Sequence, residues 1–436
     1  MKPSRHICAA VAFLPSVVSA AWAGDGPRSL ALDQALRELD EQSPTLAQAR
    51  SRVVEARALA KQATVPLLPT VVAAGGYTRN SDERIIDFSN TPLAAVAPGA
   101  LVLQPLGVWT VSGSVRVPLV VPNAWADWSA AQGAADAMAA TAESARLQLR
   151  ASLAQAAWAT AAAEEIVAAT ERAITVAEEH RRSAARGVTA GTEAPLAVIK
   201  ADTEVVKRQS DLAQARANQG RGYLALGVLL GKAEPVRVLL PPNKRSEAQE
   251  AALMEEALAN RPEMTVQAAQ IRSAQAQVRS AKLRWLPQLS GSGTIFAADV
   301  PYPTGKKNGW RLTLDLLWPV YDGGLRSGKR DQADAALSTA RAAADAQRLG
   351  ILQEVQDARR DIAVAEERLR LAEQQRDFAT AAAASAKRIF EAGVANSLEV
   401  LDANDKLYLA DVALADAHAR LGMAVVTQDK ALGRMR

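Results

Sequence analysis

The sequence predicts a mainly α-helical, elongated chain with a small β part, built from two copies of one structural unit. Three observations support this prediction. Two alanine-rich stretches, 125–186 and 326–390, run for more than 60 residues without proline. Two leucine–proline breaks each separate a helical pattern from an extended one. Proline and glycine landmarks recur in the same order along both halves of the chain, as expected of an internal repeat.

An export signal is predicted at residues 1–23. Lys2 and Arg5 precede an apolar run, and the small residues of AWA at 21–23 are typical of a cleavage site. The apolar run is too short to span a bilayer, which argues against a membrane anchor. Removing Lys2 and Arg5 lowers the formal charge from +4 to +2 (4 − 2 = 2), which gives no indication of nucleic-acid binding. The only cysteine, Cys8, lies within the signal.

The landmarks of the two halves match at nearly constant spacing. Pro44 and Pro262 are 218 residues apart (262 − 44 = 218), and so are Pro69 and Pro287 (287 − 69 = 218). Further matches are Pro118 with Pro319, Thr189–Ala201 with Glu391–Ala403, and LLGK at Leu229 with ALGR at Ala431. We interpret these matches as a duplication, with a first repeat at 24–232, a linker at 233–249 and a second repeat at 250–436.

Each repeat should contain a helix, two strands, a long helix, a tight turn and a second long helix. Proline lacks an N–H donor and pushes its predecessor toward extended geometry, so it marks a change from helix to strand. The predicted helix–strand transitions are Pro69, Pro118, Pro287 and Pro319. The predicted strands are Val71–Tyr77, Val108–Val117, Leu289–Phe296 and Gly309–Trp318.

The last predicted strand alternates most clearly between apolar and polar residues. One face carries Trp310, Leu312, Leu314, Leu316 and Trp318, and the other carries Arg311, Thr313 and Asp315. A membrane barrel strand needs such an oily face with aromatic residues near its ends. An ordinary sandwich strand with its apolar face inward explains the pattern equally well. Four strands cannot close around a channel, so several chains would have to combine their strands.

The long helices should span roughly 90 to 100 Å at the rise of an α-helix, so they need partner helices alongside. A coiled-coil seam is predicted in the second long helix from alternating four- and three-residue spacing. Its members are Ile351, Val355, Ala358, Ile362, Ala365, Leu369 and Ala372. On the returning helix, Val400, Leu407, Leu414 and Leu421 recur every seven residues.

With these residues in view, the chain resembles the TolC family of bacterial outer-membrane efflux proteins over nearly all of its mature length. The resemblance lies in the helix start Asn260-Arg261-Pro262-Glu263, in the Leu-Pro breaks, and in AGVANSLEVLDANDKL at 392–407. It implies a homotrimer whose chains each give four strands to a twelve-stranded outer-membrane β-barrel. It also implies that the helices continue this barrel as a long periplasmic coiled-coil tunnel.

Similar proteins close the tunnel at its periplasmic tip with acidic residues that follow the tip glycine. Gly393 marks that turn here, and Glu399 and Asp402 occupy the acidic positions on one helix face. Threefold symmetry would make them rings of like charge, which select cations. Without the resemblance, they could simply be acids that favour the dipole at a helix start.

The first repeat has Ala197 and Lys200 at the corresponding positions, so it offers no second acidic ring. Lys200 could instead pair with an acid of a neighbouring helix and help to hold the aperture shut. The resemblance further implies that the tip turns contact a periplasmic adaptor protein. Turn geometry alone also explains the two glycines. The residues assigned to this contact are Gly191, Thr192, Gly393 and Val394.

No catalytic pattern is present in the sequence. His180 and His418 lie far apart without a metal-spaced partner, so we expect surface or helix-seam residues. No nucleophile elbow and no phosphate-binding glycine loop occurs. The sequence therefore predicts neither an enzyme nor a bound metal or cofactor.

The function implied by the resemblance is an outer-membrane exit duct of a tripartite efflux pump. The implied partners are two further copies of the chain, outer-membrane lipid, a periplasmic adaptor (membrane fusion) protein and an inner-membrane transporter, but no nucleic acid. The alternative is a structural periplasmic coiled-coil protein without a pore.

Overall fold

The computed structural model describes residues 27–87, 100–241, 250–302, 305–392, 394 and 396–435. The predicted export signal, residues 242–249 of the predicted linker and Gly393 lie outside these ranges. The helices are α1 Leu32–Gln42, α2 Pro44–Gln62, α3 Pro122–Thr189, α4 Pro195–Leu229, α5 Glu250–Asn260, α6 Pro262–Leu283, α7 Leu325–Glu391 and α8 Ser397–Ala431. The strands are β1 Arg28–Ala31, β2 Thr70–Arg79, β3 Arg84–Asp87, β4 Ala100–Gln104, β5 Gly107–Val120, β6 Val236–Leu239, β7 Gln288–Ala298 and β8 Asn308–Leu317.

The order of elements confirms the internal duplication. Each repeat contains two short helices, two long strands and a pair of long helices, and a short strand, β1 or β6, comes before the short helices in both cases. Pro44 and Pro262 are the first residues of α2 and α6, where a missing N–H is tolerated. Two features were not expected from the sequence. The β3–β4 hairpin lies between β2 and β5, and β6 forms within the segment 233–249 and pairs in parallel with β1.

The four long strands form one antiparallel sheet in the order β2-β5-β7-β8. The pairing register gathers most of the apolar residues of the four strands on one face. They are Val71, Ala73, Tyr77, Trp109, Val111, Val115, Leu289, Ile295, Trp310, Leu312, Leu314 and Leu316. The opposite face is mainly polar and carries Thr70, Ser112, Ser114, Arg116, Ser290, Ser292, Thr294, Arg311, Thr313 and Asp315.

The apolar face of the sheet is not the interior of a sandwich. Leu312 and Leu316 are 75% and 68% exposed in the chain. β8 ends at Leu317, so Trp318 lies just beyond the strand that was predicted to include it.

Three of the four predicted transition prolines lie between a strand and a helix, and one does not. Pro69 comes directly before β2 and Pro287 directly before β7. Pro319 follows β8. Pro118 lies inside β5, and α3 begins at Pro122. Pairing of β5 with β2 stops at Arg116, and the register with β7 shifts after Pro118. A residue without an N–H is tolerated where a ladder has ended or a bulge occurs.

The long helices α3 and α7 contain 68 and 67 residues, which corresponds to roughly 100 Å each. α3 packs against α2 and α6 toward the sheet and against α4 and α8 toward the other end. All the predicted seam residues of α7 except Leu369 are buried. On α8, the fully buried seven-residue series consists of alanines, and Leu407, Leu414 and Leu421 are only half-buried. These alanines are Ala403, Ala410, Ala417, Ala424 and Ala431.

Each repeat closes on itself where its returning helix ends. Gly231 and Gly433 have positive φ angles of 76° and 70°, and each contacts the junction between the two short helices of its own repeat. The next residue forms an ion pair with the first short helix, Lys232 with Glu38 and Arg434 with Glu256. Both closures surround a buried apolar cluster, which centres on Leu39 and Leu153 in the first repeat and on Ile351 and Leu432 in the second.

Candidate functional site

The candidate site is the end of the molecule farthest from the sheet, where two helical hairpins turn. In the first hairpin, Gly191 has φ +77°, a left-handed conformation that favours glycine. Its N–H donates to the carbonyl oxygen of Val188 at 3.1 Å. The N–H and the hydroxyl of Thr192 both donate to the carbonyl oxygen of Gly187, at 3.0 and 3.1 Å. The turn is therefore closed by its own hydrogen bonds.

The second hairpin turn is followed by a capped helix. The side-chain oxygen of Asn396 accepts a hydrogen bond from the N–H of Glu399 at 3.1 Å, which satisfies one of the free donors at the start of α8. Val394 is 81% exposed at this turn. Gly393, the glycine predicted to mark the turn, lies outside the described residues.

Glu399 and Asp402 are both exposed in the first two turns of α8. The Asp402 carboxylate forms an ion pair with Lys406 at 2.7 Å, one turn further along the same helix. Lys200 is exposed on α4 and forms no ion pair with another described residue of the chain. The chain by itself therefore does not bring Lys200 together with the two predicted acidic residues, and their role in a gate stays a prediction.

Sequence reasoning missed a charged cluster that joins α4 to α8. The Arg208 guanidinium is buried, pairs with Asp405 of α8 and with Glu204 at 2.7 Å, and lies 4.1 Å above the ring of Tyr408. Burial would lower the pKa of Arg208, but the hydrogen bond to Asp405 and the surrounding carboxylates outweigh it and raise the pKa. The acids around Arg208 on its own helix were visible in the sequence, whereas the partner on α8 depends on the packing of two distant segments.

His180 lies in a helix seam, one of the two environments expected for it. Its Nε2 is 2.8 Å from the hydroxyl of Ser397, the first residue of α8, and its ring is 5.3 Å from that of Phe390. Burial lowers the pKa of the His180 imidazole. The residue borders a cavity of about 400 Å³ between α3, α7 and α8. His418 is exposed, with Nδ1 3.5 Å from Glu165.

Neither a metal site nor a membrane-spanning helix is found among the described residues. They contain no group of three or more His, Cys, Asp or Glu side chains arranged to hold a metal ion. Among the helices described, none is both long and apolar enough to cross a membrane.

Comparison with known proteins gives consistent results at the level of sequence and of fold. The model of the family described as "Outer membrane efflux protein" matches residues 35–232 and 253–434. The outer membrane protein OprJ of Pseudomonas aeruginosa is 26% identical over 241 residues, which span 50% of this chain and 49% of OprJ. The chain thus matches about half the length of that relative.

Solved structures of outer membrane channels share the fold at low sequence identity. The CmeC channel of Campylobacter jejuni aligns over 99% of this chain and 94% of its own, with a TM-score of 0.76 and 15% identity. The open state of the MtrE channel of Neisseria gonorrhoeae aligns over 92% and 88%, with a TM-score of 0.74 and 18% identity. The predicted fold class, the TolC-family resemblance and the outer-membrane location are confirmed. The chain belongs to the outer membrane efflux protein family.

Proposed function

We propose that this protein is the passive exit duct of a tripartite efflux system, which leads from a periplasmic adaptor and an inner-membrane transporter to the exterior. The observation that carries the proposal is the sheet, which exposes one continuous apolar face and has two open edges. A sheet with open edges cannot lie in lipid, because every backbone polar group there must be paired within protein. Closure of the sheet by further copies of the chain removes the edges.

Three copies provide that closure. β2 and β8 each have one neighbour within the sheet, so β8 of one copy and β2 of the next can pair. A head-to-tail contact of this kind closes into a ring when the rotation is suitable. Four strands from each chain then give a twelve-stranded barrel, with the apolar face toward lipid and the polar face toward the channel.

The helices at the two edges of the chain support the same arrangement. α7 exposes Val364, Leu371 and Phe378 at seven-residue spacing, and Phe378 is 75% exposed. α4 exposes Leu196, Ile199 and Val206 near the tip, also at coiled-coil spacing. A seam between α4 of one copy and α7 of the next would cover both stripes and continue the barrel as a helical tunnel.

The tip is proposed as the gate and as the adaptor contact. In a trimer, Glu399 and Asp402 would form two acidic rings around the threefold axis. Lys200, which has no ion-pair partner among the described residues, would be available to an acid of a neighbouring copy. The exposed tip turns would contact the adaptor through Gly191, Thr192, Gly393 and Val394. The repeat boundaries, 24–232 and 250–436 around a linker, belong to the same proposal.

The test is single-channel recording of the detergent-purified protein, combined with its mass in detergent. We expect a trimer with small, cation-selective openings that become larger in Glu399→Ala/Asp402→Ala. The matched control is Asp331→Ala/Asp345→Ala, which removes two exposed carboxylates of α7 at roughly 70 to 90 Å from its tip end. This control should keep the wild-type conductance.

The outcomes separate the parts of the proposal. Openings that do not change in the double variant would retain the duct and reject the acidic gate. A trimer that forms no channel and leaves the membrane fraction without detergent would favour the structural coiled-coil protein. Lys200→Ala should increase leakage through the closed channel. An unchanged leak would reject the proposal that Lys200 helps to hold the aperture shut.

A further inference from the structure

The helix-side end of the sheet carries a belt of exposed aromatic residues. Trp125, Trp285, Trp318 and Tyr321 all lie where a helix and a strand change over, and Tyr321 is 88% exposed. Trp125 also packs against Trp128, with ring centroids 5.8 Å apart. Aromatic residues with an apolar body and a polar edge favour the boundary between lipid tails and headgroups.

The belt is held in place by specific contacts. The indole N–H of Trp318 donates to the carbonyl oxygen of Trp285 at 3.2 Å, which ties β8 to the end of α6. The Arg326 guanidinium lies 4.4 Å above the Trp285 ring and is itself fixed by Asp322 at 2.7 Å. The belt is therefore an ordered surface that joins the apolar sheet face to the helices.

Three lysines lie on the helix side of this belt, one on each of three helices. Lys61 is in the last turn of α2, Lys282 is in the last turn of α6, and Lys329 is in the second turn of α7. All three are exposed, and none forms an ion pair with another described residue. They contrast with Arg284 and Arg330, which are paired with Asp127 at 3.4 Å and Asp334 at 3.7 Å.

Each of the three lysines shares a side of the chain with an exposed apolar residue of the boundary. Lys329 lies four residues after Leu325 and therefore on the same face of α7. Lys282 lies three residues before Trp285, which follows the end of α6 by two residues. Lys61 precedes the exposed Val65 by four residues at the end of α2. A lysine placed in this way can lay its methylenes along apolar surface and extend its ammonium group outward.

We propose that the three lysines and the aromatic belt form a collar that binds the phosphate groups of anionic phospholipids in the periplasmic leaflet of the outer membrane. The proposal rests on the proposed function, because it requires the apolar face of the sheet to lie in that membrane. Most acids near these lysines are already neutralised, because Asp127, Asp322 and Asp334 are ion-paired, whereas Asp331 and, on the polar face of β8, Asp315 are exposed without an ion pair among the described residues. Clustered cations next to a membrane boundary attract anionic headgroups.

The test compares lipids that remain on the purified trimer after reconstitution into phosphatidylcholine vesicles with and without phosphatidylglycerol. We expect the wild-type protein to retain phosphatidylglycerol in preference, as measured by native mass spectrometry. In the variant Lys61→Gln/Lys282→Gln/Lys329→Gln, the preference for phosphatidylglycerol should be at least about five-fold lower than in the wild type, as expected for removing lysines from an anionic surface. High salt should reduce the wild-type preference and leave the variant unchanged.

The control variant is Lys306→Gln/Lys307→Gln, which removes two exposed lysines from the opposite end of the sheet, between β7 and β8. It should keep the wild-type preference. An unchanged preference in the triple variant, or an equal loss in the control, would overturn the collar. Single-channel recording in phosphatidylcholine separates the two proposals: a conducting wild type without lipid preference refutes only the collar, and a wild type without channels refutes the duct.

Discussion

The two helical hairpins share a backbone plan and differ in the chemistry of their tips. α4 and α8 both contain 35 residues, and their first residues, Pro195 and Ser397, are 202 positions apart (397 − 195 = 202). α8 begins with a side-chain cap and exposed acids, whereas the residue before α4, Ala194, provides no side-chain cap. Duplication has kept the residues that set the turns, and the side chains that set charge have diverged.

A second comparison concerns the ion pairs that fasten each short helix to its long helix. In the first repeat the acid is on the short helix, where Asp40 receives hydrogen bonds from Arg146, at 2.8 Å, and from Arg150 of α3. In the second repeat the polarity is reversed, because Arg261 donates to Glu354 of α7 at 2.8 Å. The side chains of Asp40 and Arg150 are 14% and 11% exposed, whereas Glu354 is 50% exposed.

The largest expected effect comes from breaking the ion pairs of Asp40 with Arg146 and Arg150, which are called the Asp40 clamp below. Asp40→Ala leaves Arg146 and Arg150 without their shared partner in a mostly buried site, and we expect a loss of about 3 kcal/mol in the free energy of unfolding. Glu354→Ala should cost under about 1 kcal/mol, because its carboxylate is half exposed and Arg261 retains Glu263 at 2.9 Å. Urea unfolding at neutral pH checks both values, and equal losses would contradict this difference between the repeats.

The pH dependence of the same variant provides an independent check. Burial would raise the pKa of the Asp40 carboxyl, but hydrogen bonds from Arg146 and Arg150 outweigh it and lower the pKa to about 2. The Asp40 clamp therefore contributes its full free energy of stabilisation above 3.8, the ordinary pKa of an aspartate. This contribution is lost as the pH falls to about 2. The difference between wild type and Asp40→Ala should shrink over that window.

The next effect concerns equivalent glycines on the returning helices. A Cβ on Gly422 of α8 would lie 2.2 Å from the Trp158 ring of α3, whereas a Cβ on Gly220 of α4, 202 positions earlier, meets nothing within 4 Å. Gly422→Ala should destabilise the protein by about 1–3 kcal/mol through overpacking. Gly220→Ala should be neutral or stabilising by up to about 1 kcal/mol, because alanine favours a helix. Thermal unfolding compares them, and similar midpoints would contradict the close contact in the second hairpin.

These pairs show which parts of the molecule are predictable from sequence. Proline and glycine act through local backbone geometry, so the turn at Gly191 and the helix starts at Pro44 and Pro262 follow from the residues themselves. Period-two alternation likewise indicated the two faces of β8. Other contacts depend on which distant segments pack together. They are the ion pair of Arg208 with Asp405, the hydrogen bond between His180 and Ser397, and the contact between Gly422 and Trp158. The partners in each of these contacts lie far apart in the sequence, so no local sequence pattern indicates that they meet.

The alanine seam of α8 illustrates a different kind of miss. The sequence pattern drew attention to Val400 and Leu407 because large apolar residues dominate a heptad reading. The structure buries Ala403, Ala410 and Ala417 more deeply than Leu407. Small residues allow α8 to approach its neighbours closely, and the bulkier residues then lie along the sides of the contact. In α8, the positions of closest helix packing are therefore indicated by the alanines of the seven-residue pattern rather than by its leucines.

A smaller effect is expected at the cap of α8. Asn396→Ala removes the hydrogen bond to the N–H of Glu399, and loss of such a cap typically costs about 1 kcal/mol. In the first hairpin, Ala194→Asn should act in the opposite direction, because it adds an acceptor where none is present. Hydrogen exchange of the first turns of α8 and α4 reads out each change locally. If Asn396→Ala leaves the exchange of the Glu399 amide unaltered, the cap does not stabilise this turn.

The smallest effect is a pH response confined to the second hairpin. Because burial lowers the pKa of His180, opening the contact with Ser397 increases proton uptake below about pH 6.5, the ordinary value for histidine. The contact therefore contributes its full stability above that pH and loses it as the pH falls toward the lowered pKa. The charged groups of α3 and α7 that line the cavity beside His180 are Glu179, Arg182, Arg186, Lys387 and Glu391.

Hydrogen exchange at pH 7.5 and 5.5, compared between wild type and His180→Gln at each pH, cancels the intrinsic pH dependence of exchange. Protection of the first turn of α8 in the wild type should fall relative to the variant on acidification. The first turn of α4 should not respond, because Pro195 replaces Ser397 there and offers no hydroxyl to a histidine. An equal response of both turns would show that acidification acts on the tip as a whole, through its many surface carboxylates, rather than through the buried His180 imidazole, which contacts α8 from α3.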